Sequence, residues 1–271
     1  MTQGDREYAI GVARACAGAL LFSLPILMTM ETWQLGFHME RLRLALLLVL
    51  MLPLLVGLAY YLGFEDSTGV FDATLDAFVA IFVASILAAA VLYMFRVLHS
   101  DTGVEEWIGK VGLQTVTGSI GALLAQSQFG QTHDEQRKRR AGGDFAEYFF
   151  MAAGALFLSA NIAPTEEVQL IAYQMTPWHA IALVAASLLV MHAFVYALGF
   201  KGQHQRAAQA TLWSEFTRFT LVGYAIALAI STYLCWSFGR FDGVPAAAIL
   251  QISIVLAFPA AVGAAAARLV L

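Results

Sequence analysis

The stretch AGALLFSLPILMTME, residues 17–31, is an apolar run long enough to enter a membrane, which indicates a membrane helix. It ends on a carboxylate, Glu31. A second stretch, AGALFLSANIAPTEE, residues 153–167, repeats it 136 positions later with eight identities in fifteen positions. Chance matching in a chain so rich in apolar residues would give about one or two identities. The pair of stretches therefore predicts an internal duplication of membrane helices.

The composition of the whole chain agrees with a membrane protein. Of 271 residues, 60% are hydrophobic and 13% are charged, and the mean hydropathy is +0.72. A soluble domain carries about 25% charged residues. The net charge of −4 does not suggest a nucleic-acid partner, and the two cysteines show no disulfide or zinc spacing, so we expect a lipid bilayer as partner and no cofactor.

Seven segments are apolar enough to cross a membrane, which predicts an all-α, polytopic helix bundle. A further segment, Val104–Phe129, is interrupted by polar residues, so we interpret it as a helix on the cytoplasmic face or packed against the bundle. An eighth span is the alternative, against which basic residues on both sides of the segment argue. The seven predicted spans are residues 10–30, 42–62, 78–97, 148–163, 178–198, 216–236 and 244–265.

Basic residues in alternate loops predict the orientation. Lys and Arg follow the first, third and fifth spans, whereas acids follow the second and fourth. Cytoplasmic loops hold the excess of Lys and Arg, so we expect a multi-pass protein of the bacterial inner membrane, with its N-terminus outside and its C-terminus in the cytoplasm. Arg6 and Arg14 on the outer side fit this scheme poorly. Asp5, Glu7 and the length of the first run do not fit a signal peptide, so we expect the first helix to remain.

The duplication extends beyond the first match. The same shift carries YYLGF, residues 60–64, onto YALGF, residues 196–200, and one position more carries residues 73–75 onto 210–212. Three spans per copy is an odd number, so the second copy would enter from the opposite side, which predicts an inverted 3+3 repeat with a seventh helix added. The predicted regions are a first repeat at 1–103, a cytoplasmic segment with a basic loop at 104–143, a second repeat at 144–238 and the seventh helix at 239–271.

The duplicated stretches keep oxygen-bearing side chains where hydrophobicity alone would suffice, and such oxygens suit hard cations or protons. Ionisable groups within a membrane are functional candidates, since burying one costs about 2.5–3.5 kcal/mol on insertion scales. Pro25 and Pro164 are expected to break helices and free backbone carbonyls beside these groups. The candidate ion-binding residues are Glu31, Glu167, Glu166, Thr29, Thr165, Ser23, Ser159, Asn161 and His192.

A simpler interpretation stays open for several of these residues. Glu31 and Glu167 fall near the ends of their helices, on opposite faces of the membrane, and could each be a solvated acid. His192 could be a hydrogen-bonded structural histidine. Gly18 and Gly154 favour close packing of helices over a functional role.

The first helix resembles a bacterial integral-membrane family of unknown function. The residues that carry the resemblance are Arg14, residues 18–22 (GALLF), Pro25, residues 29–31 (TME) and Trp33. The resemblance implies membership over most of the chain and no assigned activity. The three-plus-three-plus-one plan is also similar to that of trimeric intracellular cation channels, in architecture alone.

These patterns predict a transporter or channel for a small cation or proton that uses the repeat-related acids. The alternative is a membrane protein that does not transport and instead binds a partner or senses lipid. An enzyme is not expected, because no metalloprotease motif, nucleophile elbow or phosphate loop occurs. Assembly of identical chains is left open.

Overall fold

A computed structural model describes residues 3–62, 69–129, 133–197 and 216–270. Every regular element in these ranges is helical, and the chain divides into two compact units, Met1–Ala141 and Gly142–Leu271. Seven of the helices are long and apolar enough to cross a membrane, as the sequence predicts. They contain the segments Ala9–Leu27, Arg41–Leu62, Val70–Met94, Gly143–Ile162, Pro177–Phe194, Phe216–Ser237 and Ala246–Ala267.

The first unit has four long helices and one short one. They are α1 (Gln3–Leu27), the short α2 (Met30–His38), α3 (Arg41–Leu62), α4 (Val70–Met94) and α5 (Val104–Phe129). Helix α5 contacts all four of the others, and its residues 113–123 are buried without interruption. Of the positions expected for this segment, on the cytoplasmic face or packed against the bundle, the structure shows the second, with the helix in contact with all the other helices of the unit.

The second unit follows the same order. Helix α6 (His133–Ile162) is kinked at Gly143, where φ is 55°, and is followed by the short α7 (Glu167–Gln174) and by α8 (Pro177–Ala197). A π-helical segment, Phe216–Leu221, leads into α9 (Val222–Ser237), and α10 (Ala246–Val270) contacts α7, α8 and α9. Most of the sequence matches at 196–200 and 210–212 lies outside the described residues.

Two glycine crossings show that α10 holds the place in the second unit that α5 holds in the first. A Cβ atom at Gly18 of α1 would lie 2.4 Å from the Gly121 carbonyl oxygen and 2.3 Å from the Ala125 Cβ. In the second unit, a Cβ at Gly154 of α6 would lie 2.2 Å from the Gly263 carbonyl oxygen and 2.5 Å from the Ala267 Cβ. These contacts match Gly121 with Gly263 and Ala125 with Ala267, at a shift of 142 positions.

The ends of α4 and α9 match as well. Arg96 and Gly239 both have positive φ, 58° and 71°, and each lies two residues after the last residue of its helix, Met94 or Ser237. In each unit, the backbone amide of the next residue donates to the carbonyl five residues back. Val97 N–H donates to Leu92 O at 2.9 Å, and Arg240 N–H donates to Cys235 O at 2.8 Å. This is the Schellman ending of a helix. The structural repeat therefore includes the fourth long helix of each unit.

Candidate functional site

The repeated acids lie just after a break in a helix. Helix α1 ends at Leu27, two residues after Pro25, and Glu31 is in the first turn of α2. Helix α6 ends at Ile162, two residues before Pro164, and Glu167 is in the first turn of α7, preceded by Glu166. A carboxylate in a first turn is stabilised by the helix dipole. Glu31 is half-buried, whereas Glu166 and Glu167 are exposed.

The predicted hydroxyl and amide groups bond mainly within their own helices. Ser23 Oγ and Ser159 Oγ each donate, at 2.5 Å, to the carbonyl four residues back, and Thr29 Oγ1 does the same to Pro25. Thr165 Oγ1 donates to Ile162 O. Asn161 Nδ2 donates to Phe157 O, while its Oδ1 is buried without a hydrogen-bond partner. Such bonds satisfy a hydroxyl inside a membrane helix without a ligand. His192 Nδ1 lies 3.1 Å from Thr220 Oγ1, which agrees with the structural interpretation of that histidine.

The carbonyls freed at each helix break are occupied by side chains from elsewhere in the same unit. In the first unit, Trp33 Nε1 donates to Leu27 O at 2.9 Å and Gln114 Nε2 donates to Ile26 O at 3.1 Å. In the second unit, both Ala163 O and Pro164 O accept hydrogen bonds from the Arg240 guanidinium. The breaks are therefore built parts of the fold rather than frayed helix ends.

The structure also reveals buried polar residues on α5 that the repeat did not point to. Five of its polar residues are buried inside the first unit. Thr115 Oγ1 lies 3.0 Å from Ser85 Oγ of α4, and Ser119 Oγ donates to Thr115 O at 2.6 Å. These five residues, which we call the α5 polar set, are Lys110, Gln114, Thr115, Thr117 and Ser119.

Two oxygens beside the break have no hydrogen-bond partner. Gln114 Oε1 and Thr32 Oγ1 are both buried, and the two residues are 1% and 0% exposed. Gly36 of α2 packs against Lys110, and Gln114 reaches Ile26 at the end of α1, so Thr32 falls at the same level of the bundle as the turn from Lys110 to Gln114. An unsatisfied buried oxygen costs about 1–3 kcal/mol, so two of them at one level are a candidate ligand position.

The counterpart of α5 in the second unit, α10, has apolar residues at the positions of the α5 polar set. At the shift of 142, the α5 polar set corresponds to Ile252, Leu256, Ala257, Pro259 and Ala261 of α10. All five are apolar in a helix that is equally central. The shared fold of the two units therefore does not require polar side chains at these positions. Another reason is needed for the polar residues in α5. The spacing of polar residues within 104–129 was the sequence signal for this site, and the interfacial interpretation of the segment hid it.

A cleft of about 470 Å³ opens at the end of the first unit where α2 meets the start of α5. Lys110 lies in it, paired with Glu106 and donating to Val97 O at 3.2 Å. Arg96, exposed and at positive φ, lines the same cleft. The remaining lining residues are Met30, Trp33, Gln34, Phe37, His38, Phe95 and Val97.

Comparison with known proteins gives a family and no activity. No curated protein and no solved structure matches the chain. One family model, whose description is “Putative integral membrane protein (DUF2391)”, matches residues 11–271. The chain therefore belongs to the DUF2391 family of integral membrane proteins.

Proposed function

We propose that the protein moves a small cation or a proton across the membrane, through the interior of the first unit. The observation that carries the proposal is the α5 polar set, buried in one repeat and replaced by apolar residues in the other. Membrane helices keep buried polar groups at a cost, and those groups commonly line the path of an ion or a proton. Thr32 Oγ1 and Gln114 Oε1 supply unpartnered oxygens of the kind that hard cations prefer.

Glu31 is the acid that adjoins this path. It precedes Thr32 directly and is half-buried, whereas the equivalent Glu167 is exposed and precedes the apolar Val168. The two acidic half-sites of the repeat are therefore proposed to be unequal, with Glu31 exchanging a cation or proton with the α5 polar set and Glu167 contributing less.

The test is flux in proteoliposomes, measured separately for H⁺, Na⁺, K⁺, Mg²⁺ and Ca²⁺. Gln114→Leu installs the residue that α10 carries at the same place, and we expect it to lower flux by roughly ten- to hundredfold, as the loss of a buried ligand worth about 1–3 kcal/mol implies. Gln251→Leu is the matched control, because Gln251 Nε2 also ties a central helix to a carbonyl, Met175 O, without belonging to the polar set. Equal flux in both variants would remove the α5 polar set from the path.

The acids are tested in the same assay. We expect Glu31→Gln to reduce flux more than Glu167→Gln, and the double variant to resemble Glu31→Gln. Wild-type flux in the double variant would exclude both acids from the mechanism.

A second candidate function, lipid sensing, is favoured by the cleft. It combines the cations of Arg96 and Lys110 with the rings of Trp33, Phe37 and Phe95, a combination that suits the anionic headgroup of a lipid at the membrane interface. The folded protein in vesicles should then be stabilised by anionic lipid over zwitterionic lipid, and Arg96→Ala should abolish the difference. Absence of flux for every ion together with this lipid effect would favour the second function over the first.

A further inference from the structure

The packing of α5 bears on how many times the chain crosses the membrane. Helix α5 has 26 residues, about 39 Å at 1.5 Å per residue, which is long enough to span a bilayer. Helix α5 contains no stretch as apolar as those of the seven helices named above. Apolar side chains are needed where a helix faces lipid, and the buried residues of α5 face other helices instead.

Helix α5 runs alongside two membrane spans. Its contacts with α1 pass from Ala125 and Gly121, against Gly18, to Gln114, against Ile26, so the two helices are antiparallel over that distance. It is parallel to α3, since Arg41 pairs with Glu105 at the start of both helices and Gly112 packs against Leu48. A helix that accompanies two spans in this way must pass through the same layer of the membrane.

We infer that α5 is an eighth membrane span. Each unit then crosses the membrane four times, in the order α1, α3, α4, α5 and α6, α8, α9, α10. Four crossings return the first unit to the side of the membrane on which it started.

The distribution of charge then sets which side this is. Five Lys and Arg residues of the first unit fall on the side where its four crossings begin and end: Arg6 and the four of 137–140. Four fall on the other side, at Arg41, Arg43, Arg96 and Lys110, and three of these are paired with carboxylates. The basic run at 137–140 is cytoplasmic by this rule, as is the N-terminus, and the cleft at Arg96 and Lys110 opens on the outer face.

Two cysteine substitutions separate this arrangement from one with seven spans. Ser100 lies in the link between α4 and α5, and Gln136 lies in the basic segment after α5. In full-length protein in spheroplasts, a membrane-impermeant maleimide should label Ser100→Cys directly and Gln136→Cys only after permeabilisation. Seven spans put both positions on the same face, so labelling of both, or of neither, in sealed spheroplasts would overturn the inference.

The controls use positions that do not depend on α5. Thr176→Cys, exposed between α7 and α8, is on the outer face in both arrangements and should label in sealed spheroplasts. The unsubstituted protein is the blank, since its own cysteines, Cys16 and Cys235, lie within spans. If the wild-type protein transports an ion, flux of the same ion through each variant shows that the variant has folded. Monodispersity of each variant in detergent shows that it has folded whether or not the wild type transports.

Discussion

At the scale of single residues, the two repeats serve as controls for each other. Arg96 and Gly239 occupy the same place in a Schellman ending, with φ of 58° and 71°. Glycine adopts this conformation freely, whereas a side chain there costs about 1–2 kcal/mol. The first unit thus tolerates strain at a residue that lines its cleft, and strain of this kind concentrates at functional sites.

Arg96→Gly is therefore expected to stabilise the protein by about 1 kcal/mol. The measurement is thermal unfolding in detergent. Arg96→Ala separates the backbone from the side chain, because alanine keeps the strain while losing the guanidinium. A gain in the alanine variant equal to that in the glycine variant would mean that the side chain, and not the backbone, is the source of the strain.

The glycine crossings give a second prediction at this scale. Gly18→Ala and Gly154→Ala should each destabilise the protein by about 1–3 kcal/mol, since the added methyl group meets a carbonyl oxygen at 2.4 or 2.2 Å. Gly103→Ala is the control, because nothing lies within 4 Å of its Cβ position. Detergent-solubilised variants can be compared by size-exclusion chromatography after heating. Equal survival of all three variants would contradict the crossings.

At the scale of helices, the lengths of the apolar runs were sufficient to predict the seven apolar spans. All seven were identified from the sequence, because exposure to lipid requires about twenty apolar residues in a row. The breaks at Leu27 and Ile162 were anticipated at Pro25 and Pro164, but the short helices that follow were not. The side chains that donate to the carbonyls at these breaks, Gln114 and Arg240, are distant from the breaks in sequence. Such pairings leave no local signal in the sequence.

The position of α5 could not be obtained from hydropathy for a related reason. Its polar residues look solvated in the sequence, and only tertiary contacts show them to be buried. The same limit applies to the candidate site: the acids were found through the repeat, whereas Thr32 and Gln114 needed the packing of α2 on α5.

At the scale of the whole molecule, each unit has its own interior. The division falls at residues 141 and 142, next to the kink at Gly143. Each unit also satisfies its own helix breaks, through Trp33 and Gln114 in one and Arg240 in the other. A unit that closes its interior in this way has the property of a domain.

We therefore expect residues 1–141 and 142–271, expressed as separate chains, each to insert into membranes and remain helical in detergent. Circular dichroism and size-exclusion chromatography of each half are the measurements, with the full chain as reference. A half that aggregates while its partner is soluble would show that its fold depends on the other. Under the proposed function, 1–141 retains the α5 polar set and 142–271 lacks it, so any flux from an isolated half should come from the first.

The glycine crossings also carry a consequence for the descent of the chain. The obstacle to a side chain at Gly18 or Gly154 is a backbone carbonyl as well as a methyl group, and no substitution at a neighbouring position can remove a carbonyl. Gly112 differs, since only the flexible ends of Leu48 and Leu44 lie near it, 3.6 and 3.8 Å away. We therefore expect relatives of this chain to vary at Gly112 and to keep glycine at the positions of Gly18, Gly121, Gly154 and Gly263. If the two units descend from one set of helices, these glycines are the points of backbone contact that both copies had to keep, whereas the residues of the α5 polar set were free to differ.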